Sequence, residues 1–214
     1  MDNEETKLES KITLGIFGGS FDPPHIGHTK LCEEFSKAIS SKVLVMPAKI
    51  SPFKMEKNIA ASDKDRIEMC KLAFSAIPKV EISDYEITKD EVSYTYKTIE
   101  HFLKINPDEK ICLCIGADCL ESLECWANSE FLFKNCIFIA AYRYNDGDKS
   151  FDEALERLKI KYNAQIIPLE YEPLEISSSE IRSNLKNGIS CSQYLNQDVY
   201  EYIKENGLYG GVCL

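Results

Sequence analysis

Two short segments carry residue types suited to phosphate chemistry. The first is GIFGGSFDPPHIGH, residues 15–28. An apolar run ending at Phe17 leads into Gly18-Gly19-Ser20. Two glycines open backbone conformations closed to other residues and let a phosphate approach closely. Pro23 and Pro24 then interrupt any regular ladder and fix the turn. A helix is expected to begin near His25, and the amides at its start and in the glycine turn form an anion site. His25 and His28 lie three apart, so on a helix they share a face and both can reach one phosphate. Taken alone, the same residues suit an ordinary Gly-Gly turn with two half-exposed histidines. The GxGxxG pattern of a redox dinucleotide site is absent. A metal site lacks a third ligand at a sensible spacing, so no metal-ligating residue is assigned.

The second segment, EISSSEIRSNL, spans Glu175 to Leu185. Three serines precede a predicted helix carrying Arg182. Hydroxyls and free amides at a helix start bind anions, and a guanidinium fork matches phosphate oxygens. Locally, the plainer reading is a helix cap at Ser177 or Ser178 with Arg182 solvated.

Alternating strands and helices must position these segments. Apolar runs predict strands at Ile12–Phe17, Val43–Met46, Val80–Ile82, Ile111–Ile115, Ile137–Ala141 and Gln165–Ile167. Several lack polar alternation, as expected of strands buried on both faces. Helices are predicted at His25–Ile39, Ser62–Ile77 with Ser62 as N-cap, Tyr94–Ile105 and Phe151–Ile160, with closing helices at Ser178–Lys186 and Tyr194–Glu205. Asn206-Gly207 supplies the final stop. Tyr144–Ser150 (YNDGDKS) reads as a loop. This order implies an α/β fold with a parallel sheet covered on both sides, whose ligands sit at the carboxyl ends of the strands. The expected organisation is a flexible tail over residues 1–10, then a single domain over 11–214 with a small helical part from about residue 177.

At 214 residues and 44% apolar content the chain can fill one globular core. Its net charge of −10 disfavours sequence-independent nucleic-acid binding, which runs on lysine and arginine. A small phosphorylated ligand needs only a few local donors. No apolar run reaches the length of a membrane span, and the acidic N-terminus does not resemble a signal peptide. Nine cysteines without a CxxC pair suit reduced, buried thiols and a cytoplasmic location. Cys112 and Cys114 are expected on one face of a strand.

Together the two segments resemble the nicotinate/nicotinamide mononucleotide adenylyltransferases, closest to the bacterial-type nicotinate mononucleotide form. GGSFDPPHIGH matches the family pattern GG(T/S)FDPxHxGH, and ISSSEIR matches ISSTxIR. Three further stretches follow the family in order: DRIEMCKLA (Asp65–Ala73), EISDYEITKDEVSYTYKTI (Glu81–Ile99) and IGADCLESLECW (Ile115–Trp126). The first and last motifs belong to the wider nucleotidyltransferase superfamily; the SYT- and Trp-containing stretches are more specific. The chain departs from the pattern after the second strand. MPAKISPFK has Ala48 where an Asn is usual and Phe53 where a His is usual, while Lys54 keeps the basic end of that loop.

The resemblance implies a Rossmann-like, doubly wound parallel sheet with helices on both faces. It implies transfer of AMP from ATP to nicotinate mononucleotide, preferred over the amide form, giving a dinucleotide and pyrophosphate in NAD biosynthesis. On the same basis His28 would serve the α-phosphate and His25 the neighbouring phosphates. Phe17, Gly18, Gly19 and Ser20 would give close contacts to ATP, with Ser20 also near the mononucleotide. Ser178 and Arg182 would hold the β- and γ-phosphates, with Lys54 assisting and Ile176 also in contact with ATP; His25, His28 and Arg182 form the catalytic set. Gly116 and Asp118 would line the riboses. Tyr94, Thr95 and Trp126 would hold the pyridine ring, with Arg143 flanking either the adenine or the mononucleotide. Core packing for Trp126, a helix cap for Asp118 and a surface ion pair for Arg143 are the plainer alternatives. Mg²⁺ is implied, bound mainly through ATP phosphates. The partners implied are ATP and the mononucleotide, without nucleic acid or membrane; a homo-oligomer stays open.

Three other readings compete. Phosphopantetheine adenylyltransferase shares the Gly-to-His motif, but the Trp126 stretch and the chain length argue against it. A class I aminoacyl-tRNA synthetase fragment would explain His25-Ile26-Gly27-His28, and FKMEK resembles the second signature of those enzymes. That signature follows too soon, and a basic surface for tRNA is missing. A non-catalytic nucleotide-binding protein on the same fold is disfavoured by the presence of both histidines and Arg182.

Overall fold

The computed structural model describes residues 12–52, 59–142, 149–172 and 174–210. Six strands form one sheet: β1 (Leu14–Gly19), β2 (Lys42–Pro47), β3 (Val80–Ile82), β4 (Ile111–Gly116), β5 (Cys136–Tyr142) and β6 (Gln165–Glu170). The sheet order is β3-β2-β1-β4-β5-β6, the order of a Rossmann-type doubly wound fold. The sheet is parallel: Leu14 faces Ile111, Ile111 faces Cys136, and Ile137 faces Gln165 in register. The chain order reverses between β1 and β4, whose carboxyl ends carry Gly18 and Gly116.

The described residues group into two compact units. The first takes those within Met1–Gly18, Glu34–Leu44 and Tyr94–Glu172; the second takes those within Gly19–Glu33, Val45–Ser93 and Pro173–Leu214.

In the first unit, CIFIAAY of β5 is buried at every residue but the last. Continuous apolar character without alternation is what a central parallel strand requires. Gly15 is needed for packing. A Cβ there would lie 2.4 Å from Ile39 Cδ1 and 3.0 Å from the Phe35 ring. Both belong to the helix that follows β1, α1 (Ile26–Ile39). The unit also holds α3 (Thr95–Ile105), α4 (Ala117–Ser122), α5 (Ser129–Asn135) and α6 (Lys149–Tyr162). The short helices α4 and α5 are not legible as periodic patterns, because one or two turns give too few apolar repeats.

In the second unit, α2 (Asp63–Phe74) begins where expected: Ser62 Oγ accepts from Asp65 N and donates to the Asp65 carboxylate. It ends three residues before the predicted Ile77. Helix α7 (Ser178–Lys186) matches its prediction. The second closing helix is shorter than predicted: Ser192–Tyr194 is a single 3-10 turn, and α8 (Gln197–Glu205) starts afresh. The Asn196 side chain accepts from Asp198 N at 2.9 Å and so caps a new start. Gly207, at φ 59°, stops α8 as expected. Tyr202 of α8 donates to Asp65 of α2 at 2.9 Å.

Cys32, Cys70, Cys112, Cys136 and Cys191 are buried, and burial pushes the Cys32 and Cys136 thiols up to about 12. Cys125 is exposed and Cys114 half-buried, so the expectation of uniformly buried thiols is too simple. No helix among the described residues is long and apolar enough to cross a membrane. The predicted N-terminal tail and most of the YNDGDKS loop lie outside the described residues; Lys149 and Ser150 belong to α6.

Candidate active site

The glycine segment does not turn where the sequence suggests. Strand β1 runs through Gly19, and Ala48 N donates to Gly19 O at 2.9 Å. The left-handed residue is Phe21, at φ 47°, and neither Gly18 nor Gly19 has positive φ. The two glycines serve other ends. A Cβ on Gly19 would lie 2.7 Å from the Phe21 ring, whereas a Cβ on Gly18 would meet nothing within 4 Å. Phe21 is 1% exposed and stands edge-on to both His28, at 5.1 Å, and Phe74, at 5.6 Å. It forms a floor beneath the second histidine.

His25 precedes the helix rather than starting it, yet the two rings still meet. They stack at 3.7 Å between centroids. The backbone N–H of His25 donates to His28 Nδ1 at 3.2 Å, and His28 N donates back to His25 O at 2.8 Å. An Nδ1 that accepts cannot carry the proton in a neutral ring. In its neutral form His28 is therefore the Nε2–H tautomer. Burial lowers the His25 pKa to about 4, so that ring is neutral near pH 7. Its buried Nδ1 has no hydrogen-bond partner among the described residues.

The second motif docks on the first. Ser177 caps α7, accepting from Glu180 N at 3.1 Å. That releases Ser178, whose Oγ donates to Pro23 O at 2.9 Å. Arg182 Nη1 donates to Asp22 O at 2.7 Å, and its Nη2 to Ser179 Oγ at 3.2 Å. Ile176 Cγ2 comes within 4.0 Å of the position a Cβ on Gly27 would take. Two segments 155 residues apart in the chain thus converge in one unit. They bring two imidazoles, a hydroxyl and a guanidinium around the amide-rich start of α1.

Three residues that sequence reasoning did not single out hold this arrangement. Asp22 is 3% exposed. Its carboxylate accepts from Ala60 N at 2.9 Å, Ala61 N at 3.0 Å and the Tyr209 hydroxyl at 2.8 Å. The Asp22–Pro23 peptide is cis. Arg66 is fully buried, with Nη1 on Ser20 O at 2.9 Å and Ala48 O at 2.7 Å and Nη2 on Asp63 at 2.9 Å. Burial pushes the Asp63 carboxyl up, and its Lys49 and Arg66 partners more than offset this, leaving it below the usual carboxylate range. The backbone of Ala48 is thereby fixed although its side chain departs from the family pattern. Tyr209 is held by Asp22 from the far end of the unit. The Asp and Arg stand inside quoted motifs, which was the available signal; Tyr209 had none.

The remaining predicted residues lie in the first unit or outside the described residues. Phe17 is buried against Phe35, and Gly18 is exposed at the end of β1. Gly116 ends β4 and caps α4; Asp118, exposed in the first turn, folds its Oδ1 to 2.8 Å from the Cβ position of Gly116. The predicted alternative of Asp118 as the cap is not what is found, because Gly116 holds that position. Tyr94 caps α3 and Thr95 opens it; both are half-buried, with Lys97 Nζ 5.8 Å from the Tyr94 ring centre. Trp126 is half-buried after a 3-10 turn and donates its backbone N–H to Leu123 O at 3.2 Å. Lys54 and Arg143 fall outside the described residues.

A cavity of about 620 Å³ lies elsewhere in the second unit, lined by Lys49, Asp63, Lys64, Glu68, Lys71 and Asp84 among others. It contains none of the predicted site residues, and its charges balance. The two histidines, Ser178 and Arg182 gather at the loop instead.

The chain matches the family described as cytidylyltransferase-like over residues 16–184. A "Probable nicotinate-nucleotide adenylyltransferase" of Carboxydothermus hydrogenoformans is 37% identical over 197 residues, covering 92% of this chain and 97% of that relative. One of the same name from Listeria monocytogenes serotype 4a is 34% identical over 201 residues, covering 94% and 98%. Among solved structures, Plasmodium falciparum nicotinic acid mononucleotide adenylyltransferase complexed with NaAD aligns with a TM-score of 0.75 at 20% identity, covering 95% of this chain and all of that one. At that identity the likeness speaks to the fold. The α/β fold and these relatives place the chain among the nucleotidyltransferases. More particularly, the chain belongs to the cytidylyltransferase-like family and, within it, to the nicotinate-nucleotide adenylyltransferases.

Proposed function

We propose that the protein transfers AMP from ATP to nicotinate mononucleotide, releasing pyrophosphate. The observation that carries this reading is the convergence of Ser178 and Arg182 on the loop that presents His25 and His28. The relatives' names supply the substrate class. In the reaction a 5′-phosphate oxygen of the mononucleotide bonds to the α-phosphorus of ATP as the bond to the bridging α,β-oxygen breaks. Such a displacement asks the protein for positioning and charge neutralisation more than for acid–base work.

His28 is assigned to the α-phosphate. Its fixed Nε2–H donor can follow charge developing there without a change of tautomer. His25, kept neutral by burial, is assigned a neighbouring phosphate. Gly19 and Ser20 offer backbone contacts. Ser178 and Arg182 are assigned to the β- and γ-phosphate end, where the guanidinium stabilises the leaving pyrophosphate, and Ile176 to ATP. Within the first unit, Phe17, Gly18, Gly116 and Asp118 are assigned to the nucleotide, and Tyr94, Thr95 and Trp126 to the pyridine ring, the last by stacking. Lys54 and Arg143 keep their assigned roles on the resemblance alone. The amide form of the mononucleotide is assigned as the weaker substrate, and the cytoplasm as the compartment.

Mg²⁺ fits as a cation carried by the triphosphate. Asp22, the carboxylate of the loop, already has its oxygens engaged by two amides and a hydroxyl, and the groups around it are donors suited to phosphate oxygens. When bound, the ion neutralises phosphate charge, with water completing its shell. The test of the substrate assignment is a steady-state comparison of the two mononucleotides with ATP and Mg²⁺. A higher kcat/KM for the nicotinate form is expected; equal values, or a preference for the amide, would overturn it.

A further inference from the structure

We propose that Tyr209 is a positioning residue for Arg182, acting through the buried carboxylate of Asp22. The inference rests on the assignment of Arg182 to the phosphates made above.

Asp22 lies between two groups that compete for it. On one side Tyr209 donates its hydroxyl to Oδ1 at 2.8 Å. On the other, Arg182 Nη1 stands 3.6 Å from Oδ2 and makes its shorter contact, 2.7 Å, to the Asp22 carbonyl oxygen. Ala60 and Ala61 amides donate to the same carboxylate, to Oδ2 at 2.9 Å and to Oδ1 at 3.0 Å. A carboxylate that is 3% exposed must have its lone pairs satisfied. With the tyrosine in place it has three donors and needs no close ion pair. Arg182 is then held by a backbone carbonyl and by Ser179, and its charge is left partly uncommitted.

The backbone supports a specific placement of the ring. Tyr209 sits at φ 60°, ψ 19°, the left-handed region that a bulky residue enters only when its surroundings hold it there. Its turn, Leu208–Gly210, packs on α7, the helix that carries Arg182, and a Cβ on Gly210 would be 3.6 Å from Lys186 Cα. Burial, and then the Asp22 charge, raise the phenol's pKa far above its ordinary value, so the hydroxyl stays a donor at all working pH. Without that hydroxyl, Asp22 recruits the nearest cation. Arg182 closes from 3.6 Å into a tight ion pair and withdraws from the phosphate it serves.

The test is Tyr209→Phe in the full chain, with initial rates against ATP and against nicotinate mononucleotide, and ATP binding measured by calorimetry. The expected result is about a tenfold loss in kcat and weaker ATP binding, with KM for the mononucleotide unchanged. A lowered melting temperature with unchanged kcat and ATP affinity would reveal a merely structural role and overturn the proposal. The Asp22→Asn background gives the second arm. There the competition for Arg182 is weakened, so adding Tyr209→Phe should cost less than threefold in kcat. This comparison serves also if the single variant fails to fold, because the neutral amide is less costly to leave with one donor fewer. A full tenfold cost in that background overturns the proposal. If wild-type protein forms no dinucleotide, the functional assignment itself fails; if wild type is active and Tyr209→Phe matches it, only this inference does.

Discussion

Replacing Arg66 by methionine should strongly destabilise the fold around the histidine loop. The side chain is fully buried, and one of its nitrogens serves two backbone carbonyls, those of Ser20 and Ala48, while another pairs with Asp63. Methionine keeps most of the aliphatic volume but donates nothing. Many buried ion pairs can be exchanged for apolar residues at little cost, because both partners leave together. Here the acceptors are backbone carbonyls, and they remain. Hydrogen bonds from a charged donor contribute roughly 1.5–3 kcal/mol each. Asp63 is exposed enough for water to replace its share, 40% at the side chain. The two carbonyls thus set the scale, and the expected loss is about 3–5 kcal/mol. For a chain of this length that corresponds to a drop of about 6–20 °C in melting temperature. Arg66→Lys should lie between, since a single ammonium keeps the charge but lacks the planar fork that spans carbonyl and carboxylate. Chemical denaturation followed by circular dichroism measures all three proteins. A methionine variant within about 1 kcal/mol of wild type, or a lysine variant as unstable as the methionine one, would refute the reasoning.

The histidine pair and the floor beneath it give two further predictions. His25 has a folded pKa near 4 against about 6.5 in the unfolded chain, so between these values only the unfolded state gains the proton. Its contribution to stability is present above about pH 6.5 and is lost as pH falls towards 4, by up to about 3 kcal/mol. Denaturation of wild type and His25→Phe at pH 7 and pH 4.5 checks this; a stability difference that does not move with pH removes the claim that His25 is held neutral. Gly19→Ala places a methyl 2.7 Å from the Phe21 ring. The overpacking should cost about 1–3 kcal/mol and, by shifting the ring under His28, lower kcat. A Gly18→Ala variant, with open space at its Cβ position, should leave stability nearly unchanged. Equal destabilisation by the two changes, read from melting curves, would contradict the assigned packing.

Much of the sheet was legible because parallel strands buried on both faces advertise themselves as apolar runs. Val80–Ile82 matches its prediction to the residue, and the other strands differ by one to three residues at an end. The convergence of the Ser/Arg helix on the histidine loop came from family resemblance, since nothing in local spacing links Pro23 to Ser178. The loop's internal mechanics were not legible. Phe21 is an aromatic in a left-handed conformation, where composition favours glycine, and the adjacent glycines advertised a turn they do not make. The supports are single polar residues paired over long stretches of chain, such as Asp22 with Tyr209, 187 residues apart. Isolated pairings of that kind carry no periodic signal. Short helices such as Ala117–Ser122 are missed for a related reason: amphipathic patterning needs several turns to show.

The central claim is that the histidine loop and the Ser/Arg helix together transfer AMP from ATP. Its most direct test is a single-turnover experiment with ATP labelled at the α-phosphate, nicotinate mononucleotide and Mg²⁺, run in parallel on wild type and His28→Ala. Wild type should convert label to dinucleotide and release one pyrophosphate for each, while the variant, folded by circular dichroism, loses most of that rate. A variant that releases pyrophosphate at the wild-type rate, or a wild type that leaves both mononucleotides untouched and adenylylates phosphopantetheine instead, would contradict the account.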